Sequence, residues 1–231
     1  ESREHFFKYM AGQFSPIERK SIEPIALNIE DGNVRALQRF VSDAPWAEEK
    51  MVSKYRSFVN EDLGSPDGAV IFDETGFIKK GQESIGVAKQ YCGTIGKVDN
   101  CQVGVFAGYV SETGYALVDK RLFIPEKWFT DDFLERRQKC KLPGDVIFRT
   151  KPQLAVEMLR KLTQENVLPF KYVLADSIYG VSPEFIAAVE ALPDKSYFVS
   201  VPKDTLCWLK RPMTMTKTYQ IGRASCRERV C

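Results

Sequence analysis

Two aspartates directly follow short apolar runs, and their type and position suit them to chemistry. Asp73 comes after the run AVIF, and Asp176 comes after the run YVLA. A glycine-bounded apolar run such as AVIF is typical of a strand buried on both faces, which presents its first polar residue at the sheet edge. If the two strands are neighbours, both carboxylates reach one position and repel each other unless a cation neutralises them or one is protonated. The pair therefore predicts a cation site at the edge of a sheet.

The histidine content limits the choice of cation, because His5 is the only histidine in the chain. A Ser-His-Asp triad, a Cys-His pair or an H-E-x-x-H zinc site would each have to use this residue near the chain start. Carboxylates without an imidazole suit hard, oxygen-seeking ions, so we expect Mg²⁺ or Mn²⁺. Two such ions about 3.5–4 Å apart can activate water or a 3′-hydroxyl and stabilise the leaving oxygen of a phosphodiester.

Each acidic candidate also has a purely structural interpretation. An aspartate at a strand end commonly forms a turn or caps a helix, and this alternative stays open for Asp73 and Asp176. Glu74 is interpreted as a turn residue in the segment DETG. Asp119 lies in mid-strand between a valine and a lysine, and we interpret it as an edge charge or an ion-pair partner.

Three lysines are candidate contacts to a nucleic-acid backbone. Lys79 and Lys80 follow soon after Asp73, and they belong either to a solvated face or to a set of phosphate contacts beside the site. Lys97 ends the stretch CGTIGK, whose two glycines suit a phosphate-binding turn. That stretch is shorter than a P-loop and no clear strand precedes it, so we do not expect nucleotide binding there.

The composition is that of an ordinary globular protein. The chain has 231 residues, of which 44% are hydrophobic and 28% are charged, and it can bury a full core. No apolar stretch approaches the ~20 residues of a membrane span, and the first residues show no signal-peptide pattern. The six cysteines form no C-x-x-C pair. We therefore expect reduced thiols, no membrane partner and a cytoplasmic location.

The last eleven residues, IGRASCRERVC at 221–231, resemble the translation of a sequencing-adapter oligonucleotide. A non-native read-through tail is therefore expected there. Without its three arginines and one glutamate, the net charge falls from +2 to zero, so overall basicity gives no argument for nucleic acid. A read-through also implies that the reading frame is interrupted and that a C-terminal part of the natural protein is missing.

The first part of the chain is predicted to be helical. SPIE at 15–18 has the pattern of a capping box and predicts a helix through Ile29 that Pro24 kinks or interrupts. Asn33–Val41 and Trp46–Val59 are predicted to form two more helices, because their apolar residues recur at helical spacing. LGSPDG follows at 63–68 with turn residues throughout, and it predicts a domain boundary at residue 66.

The elements that must position the acids follow this boundary. CQVGVFAGYV and YALVDKRLFI flank SETG and predict an antiparallel hairpin. TKPQ at 150–153 is a second capping box, and it opens a helix with four residues inward: Leu154, Met158, Leu159 and Leu162. The strand ending at Asp176, a helix from Ser182 to about Leu192 and a strand at 196–201 complete an α/β protein with a mixed sheet and flanking helices.

Several separated segments, in this order and spacing, resemble the DDE transposases of bacterial insertion sequences. The similarity extends from about Phe7 to Val201, and these segments carry it: ERKSIEPIA, ALQRFV, DETGFIKKG, GVAKQYCGTIGKVDNCQVGVFAGYVSETG, LFIPEKW and YVLADSIYG. The resemblance implies an RNase H-like catalytic core at 67–202, preceded by a helical region at 1–66 that helps to bind transposon-end DNA.

The resemblance also implies an activity and its partners. It assigns the first two catalytic acids to Asp73 and Asp176, and it implies Mg²⁺-dependent cleavage and strand transfer. Transposon-end DNA and target DNA are the implied partners, a homodimer is implied when two ends are brought together, and a bacterial cytoplasm is the implied location.

The third acid of the family has no counterpart in the sequence. It is a glutamate on a helix beyond an inserted β-rich segment, and that insertion only begins here, at 203–220. Glu184 and Glu190 come too early in the chain to match it. We therefore expect a transposase fragment that binds Mg²⁺ weakly and is inactive.

Two alternatives stay open. A phosphatase of the haloacid-dehalogenase type has a strand that ends in D-x-D-x-T, but Thr75 stands where its second aspartate is needed. A noncatalytic regulatory protein that occupies the ends of the element is the other alternative, and the missing glutamate favours it.

Overall fold

The computed structural model describes residues 2–45, 47–206 and 210, and it divides them into helices and the strands of one sheet. The helices are α1 Ser2–Phe14, α2 Ile22–Asn28, α3 Val34–Asp43, α4 Glu48–Leu63, α5 Leu134–Lys139, α6 Lys151–Glu165, α7 Ser177–Gly180 and α8 Pro183–Glu190. The strands are β1 Ala69–Ile78, β2 Ala88–Cys92, β3 Lys97–Ser111, β4 Gly114–Phe123, β5 Tyr172–Ala175 and β6 Ser196–Val199.

The sheet is mixed, as the sequence predicts. Its order is β2-β3-β1-β5-β6. Strand β3 is long enough for β2 to pair with its first residues and for β4 to pair with its later residues on the same edge. β1 is antiparallel to β3 and parallel to β5, and β5 is parallel to β6. Helix α6 makes the crossover that returns the chain to the sheet beside β1, because parallel neighbours need such a connection. The described residues therefore have the α/β, RNase H-like fold class that was predicted, with helices ahead of the sheet.

Strand β1 differs from the prediction in length and in burial. It does not stop at Asp73 but continues through Gly76 to Ile78. Successive side chains of a strand point to opposite faces, and here only one face is packed: Val70 and Phe72 are fully buried, whereas Ile71 on the other face is exposed. The prediction of a strand buried on both faces is wrong, and Asp73 lies within the strand instead of at its end.

Helix α6 covers the packed face of the sheet. Its start is the predicted capping box, in which the Gln153 amide donates to the Thr150 hydroxyl and the Thr150 amide donates to the Gln153 side chain. The predicted inward residues are all buried in the main core, together with Ala155 and Val156. Helix α8 begins at the predicted place, is capped by Ser182, and adds Phe185 and Val189 to the same core.

The hairpin of β3 and β4 is confirmed, and β2 is an additional strand that periodicity did not reveal. The stretch CGTIGK forms the turn between β2 and β3, with a single 3₁₀ turn at Gly93–Ile95 and Gly96 at a φ of 64°. Cys92 and Cys101 are free, buried thiols on these two strands. Burial and the neighbouring Cys92 raise the pKa of Cys101 to about 11, so this thiol stays protonated at neutral pH.

The N-terminal helices begin at positions that differ from the predicted ones. SPIE does not open a helix, because α1 ends at Phe14 and the Ser15 hydroxyl donates to the Gly12 carbonyl. Helix α2 begins at Ile22, so Pro24 lies in its first turn, where a missing N–H costs nothing. Helix α3 begins next to the predicted start, and Asn33 caps it by accepting from the Ala36 amide at 2.9 Å.

Three clusters of buried residues lie in the described part of the chain, and one of them, Cys92, Cys101 and Val103, is formed by β2 and β3. Ile25, Ala26 and Leu37 make a small core among α1, α2 and α3. Helix α4 instead contributes Val59 to the large core under the sheet. The boundary at residue 66 stays a prediction, and the inserted segment at 203–220 and the tail at 221–231 lie almost wholly outside the described residues.

Arg56 attaches α4 to the sheet. Its side chain is 1% exposed, and its guanidinium lies 2.8 Å from Asp119 on β4 and 2.6 Å from Glu165 at the end of α6. Its Nε also donates to the Val118 carbonyl at 2.9 Å. Asp119 accepts from Arg121 as well, at 2.7 Å. Asp119 is therefore an ion-pair partner, as the sequence suggested, in a buried network and not an isolated edge charge.

Candidate metal centre

The pairing of β1 with β5 brings the two predicted aspartates together. Phe72 lies opposite Ala175 in the parallel register, so the next residues on the two strands are Asp73 and Asp176. Oxygens of these two carboxylates and of Glu74 all lie within 4.8 Å of one another. We call these three residues the carboxylate cluster. The expectation that the two strands are neighbours is therefore confirmed.

Asp176 caps a helix, which is the structural interpretation that the sequence left open for it. It follows β5 and is also the N-cap of α7, where its Oδ1 accepts from the Ile178 amide at 2.9 Å. Burial is the largest influence on its pKa and raises it, the hydrogen bond from Ile178 opposes that change, and the negative charges of Glu74 and Asp73 add to it. A nearby divalent cation would stabilise the ionised carboxylate and so oppose this rise in the pKa of Asp176.

Glu74 is not the turn residue that the sequence predicted. It lies within β1 on the same face as Val70 and Phe72, and it is half-buried with its side chain 15% exposed. Lys151 donates to its Oε1 at 2.7 Å, and the Tyr179 hydroxyl donates to its Oε2 at 3.0 Å. The alternation of side chains from Val70 onward was the signal that could have placed Glu74 on the packed face.

Lys151 and Tyr179 reach Glu74 from two different helices. Lys151 is the first residue of α6 and lies inside the capping box, directly after Thr150, and its ammonium also lies 5.7 Å from the centroid of the Phe123 ring. Tyr179 lies in the short helix α7, is fully buried, and packs its ring against Phe185. Burial, reinforced by the Glu74 carboxylate, raises the pKa of Tyr179, so its hydroxyl remains a donor at neutral pH. Sequence patterns gave no indication of either residue.

Asp73 is the solvent-facing member of the carboxylate cluster. Its Oδ1 accepts from the Glu74 amide at 2.8 Å, which fixes the orientation of the side chain. It borders a groove of about 660 Å³ on the open face of the sheet, together with Thr75, Phe77 and Phe106. The donor set consists of carboxylate oxygens, one of them accessible from outside, and this is what a hard divalent cation requires. The residues present therefore fit a Mg²⁺ or Mn²⁺ ion.

The three candidate lysines lie together but away from the carboxylate cluster. Lys79 follows the end of β1, six residues beyond Asp73, which is about 20 Å along a strand. Its amide donates to the Asn100 carbonyl on β3, and Lys97 begins the same strand with an ion pair to Asp99 at 3.9 Å. Lys80 is exposed beside Lys79. The lysines thus share the far end of the sheet and do not touch the cluster.

The parallel β1–β5 pair, the antiparallel neighbours and an acidic cluster on adjacent strands define an RNase H-like protein whose site can bind a divalent metal. The chain belongs to the DDE superfamily endonucleases, whose family model matches residues 1–229. The match includes most of the segment that we assign to a read-through tail, and that assignment stays a prediction. The phosphatase alternative does not agree with this family membership.

One curated relative supports the family and shows how much of a longer protein the chain covers. The chain is 33% identical over 202 residues to the probable transposase for insertion sequence element IS701 of Microchaete diplosiphon. The aligned part is 84% of this chain but 48% of the relative, so the chain spans about half the length of that protein. Within the part of the chain that the structure describes, no helix is both long and apolar enough to span a membrane.

Proposed function

We propose that the protein to which this chain belongs cleaves DNA at the ends of an insertion sequence and joins those ends to target DNA. The observation that carries the proposal is the convergence of Asp73, Glu74 and Asp176 on neighbouring strands of an RNase H-like sheet. The name of the relative, a probable transposase, supports the same activity. Transposon ends and target DNA are then the partners, within a bacterial cytoplasm.

Asp73 and Asp176 are proposed as the residues that bind Mg²⁺ or Mn²⁺. Asp73 faces solvent and offers a free oxygen, and Asp176 is held in place by its cap to α7. A bound divalent ion supplies Lewis-acid stabilisation of the charge that develops on a phosphate during hydrolysis or strand transfer. The groove beside Asp73 is lined by residues of β1, β3 and β4, and we propose that a DNA backbone approaches there.

The chain by itself is proposed to bind metal weakly and not to cleave DNA. Both oxygens of Glu74 are already occupied by Lys151 and Tyr179, so this residue does not replace a third catalytic glutamate. Glu184 and Glu190 are outside the carboxylate cluster, and Glu190 accepts from the Tyr197 hydroxyl. The third acid is therefore proposed to lie outside the described residues.

DNA contacts are proposed at two places. The helical region at 1–66 is proposed to bind the transposon end, and Lys79, Lys80 and Lys97 are proposed to contact phosphates along the far end of the sheet. Lys79 is about 20 Å along the strand from Asp73, so these lysines would hold flanking DNA, not the phosphate that reacts. A homodimer is proposed for the complex in which two ends are brought together.

A cleavage and binding assay tests the proposal. Labelled duplexes that carry the ends of the element are incubated with the purified chain and Mg²⁺ or Mn²⁺. We expect retarded migration of the end duplex and no nicking, with binding unchanged in the Asp73→Asn and Asp176→Asn variants. The same result also favours the regulatory alternative, in which end binding is the whole function.

The longer protein then separates the two functions. A chain extended to the full length of the reading frame is expected to nick the end duplex, and Asp73→Asn is expected to abolish nicking. Nicking by the 231-residue chain that Asp73→Asn removes would contradict the proposed inactivity, and no nicking by the full-length protein would leave the regulatory function.

A further inference from the structure

The carboxylate cluster is already in contact with a positively charged side chain of the protein. Lys151 is bonded to Glu74, and the pair is half-buried, with the side chains 19% and 15% exposed. We infer that Lys151 is a resident counter-charge that competes with a divalent cation for Glu74, and that Tyr179 holds Glu74 in position for either partner. This inference rests on the proposed metal centre, and it adds two positioning residues that set how tightly the centre binds metal.

Charge is the first argument. Three carboxylates bring oxygens within 4.8 Å of one another, and like charges at this distance repel strongly. In residues 2–45 and 47–206, neither Asp73 nor Asp176 forms an ion pair, whereas Glu74 is paired with Lys151 at 2.7 Å. Lys151 therefore reduces the formal charge of the cluster from −3 to −2, which is the charge that one divalent ion neutralises.

Burial makes this charge effective. Attraction and repulsion between charges are weakly screened when the groups are removed from water, so an ammonium at this position repels an incoming cation more than a surface lysine does. The ammonium also lies near the face of Phe123, which packs against the main core. That ring gives the Lys151 side chain a contact that does not depend on Glu74.

Tyr179 bonds the other oxygen of Glu74, and its effect on metal affinity is opposite to that of Lys151. The Tyr179 side chain is fully buried, and its hydroxyl donates to Oε2 of Glu74 at a distance of 3.0 Å. A donor on one oxygen fixes the carboxylate and leaves the other oxygen for a cation, as supporting hydrogen bonds do at metal sites in general. Loss of the hydroxyl frees Glu74 to rotate, whereas loss of the Lys151 ammonium leaves Glu74 in place and removes its competitor.

The two substitutions are thus expected to change metal affinity with opposite signs. Mn²⁺ binding to the 231-residue chain is measured by calorimetry for the wild type, Lys151→Met and Tyr179→Phe. We expect Lys151→Met to bind Mn²⁺ about tenfold more tightly and Tyr179→Phe about tenfold more weakly. The gain in Lys151→Met is expected to shrink at high salt, because it is electrostatic.

Lys161→Met is the matched control. Lys161 lies on the same helix and forms an ion pair of similar length, 3.0 Å, with Glu49, but it is ten residues, or about 15 Å, further along α6. We expect its Mn²⁺ affinity to equal that of the wild type. Lys151→Gln is the second variant at the site, since it keeps a hydrogen-bond donor without the charge, and it is also expected to bind more tightly.

The outcomes separate this inference from the proposed function. If the wild type binds Mn²⁺ and neither Lys151 variant binds it more tightly, the competition is disproved while the metal centre stands. If Tyr179→Phe binds as the wild type does, the positioning role of Tyr179 is disproved. If no variant binds Mn²⁺ and Asp176→Asn is indistinguishable from the wild type, the metal centre itself is disproved, and this inference with it.

Discussion

Asp73 and Glu74 are adjacent on one strand, yet the alternation of side chains gives them different surroundings. Asp73 faces solvent on the open side of the sheet, whereas Glu74 is half-buried between Lys151 and Tyr179. Asp176 approaches both from the next strand. At the scale of residues, the site therefore consists of one accessible carboxylate, one that caps a helix and one that is already neutralised.

A substitution of Asp176 measures how much its burial and the neighbouring negative charges destabilise the metal-free fold. The pKa of Asp176 is raised above its value of 3.8 in the unfolded chain, first by burial, so the folded state favours the protonated carboxyl. Ionised Asp176 therefore destabilises the metal-free fold above the raised pKa, and this cost disappears as the pH falls toward 3.8. Asparagine keeps the cap to the Ile178 amide. We expect Asp176→Asn to raise the melting temperature at neutral pH, with a difference that shrinks on acidification.

Asp67→Asn is the control for that prediction. Asp67 is exposed and pairs with Lys171 at 3.2 Å at the start of the sheet, so its loss is expected to give no increase in melting temperature. A lower melting temperature for Asp176→Asn than for the wild type at neutral pH would show that the carboxylate stabilises the metal-free fold, contrary to the argument from burial.

At the scale of elements, the buried ion pairs of Arg56 are the main polar connection between α4 and the sheet. The guanidinium contacts Asp119 and Glu165, whose side chains are 5% and 23% exposed. The close contact of Nη2 with Asp119 lacks the alignment of a hydrogen bond, so its attraction is chiefly ionic. Removal of one member of a buried pair typically costs about 3–5 kcal/mol, because the other charge is left without compensation.

Arg56→Met is therefore expected to lower the free energy of unfolding by about 3 kcal/mol, since Arg121 still compensates part of the Asp119 charge. Urea denaturation of the 231-residue chain measures this loss. Arg121→Met is the comparison, with an expected loss of about 1 kcal/mol because the Arg121 side chain is 30% exposed. Equal losses in the two variants would contradict the assignment of Arg56 as the main connection.

The elements also show which parts of the fold the sequence could predict. Local signals were reliable where the contacts are local: the TKPQ capping box, the helix start at Ser182 and the β3–β4 hairpin all appear as predicted. The helix start predicted at SPIE was wrong. A capping pattern starts a helix only if an apolar face follows in register, and here α2 begins later, at Ile22. Strand β2 was missed because its short, mixed pattern depends on pairing with β3.

The candidate site divides in the same way. The meeting of Asp73 and Asp176 follows from the apolar runs that precede them and from a parallel crossover, which are visible in the sequence. The contacts of Glu74 with Lys151 and Tyr179 join residues 77 and 105 positions apart, and only the packed fold determines them. Alternation along β1 could have placed Glu74 on the packed face, but nothing in the sequence could have named its two donors.

At the scale of the molecule, the described residues place the N-terminal helices and the packed face of the sheet in separate cores. The N-terminal helices α1–α3 enclose Ile25, Ala26 and Leu37, and the sheet with α4, α6 and α8 encloses the larger cluster. Each cluster buries its own apolar surface, and such units unfold separately when few contacts join them. The division falls after α3, so α4, which belongs to the helical region at 1–66 that is proposed to bind DNA ends, packs with the sheet.

Deletion of residues 1–45 is expected to leave a protein that still unfolds cooperatively and still binds Mn²⁺, while binding to the end duplex is lost. Circular dichroism in urea, calorimetry and gel retardation measure these three properties. Leu37→Ala in the intact chain is the matched variant, because Leu37 is 1% exposed and belongs to the small core alone. It is expected to lower the stability of the N-terminal helices by about 2–5 kcal/mol and to leave Mn²⁺ affinity unchanged. A deletion variant without a cooperative transition would contradict the independence of the sheet core.

Mn²⁺ binding to the 231-residue chain, with Asp73→Asn, Asp176→Asn and the exposed control Asp67→Asn, tests the metal centre most directly. We expect measurable but weak binding to the wild type and to Asp67→Asn, and a loss of at least about tenfold in affinity for each of the other two variants. Equal affinity in all four proteins would contradict the assignment of Asp73 and Asp176 as metal ligands.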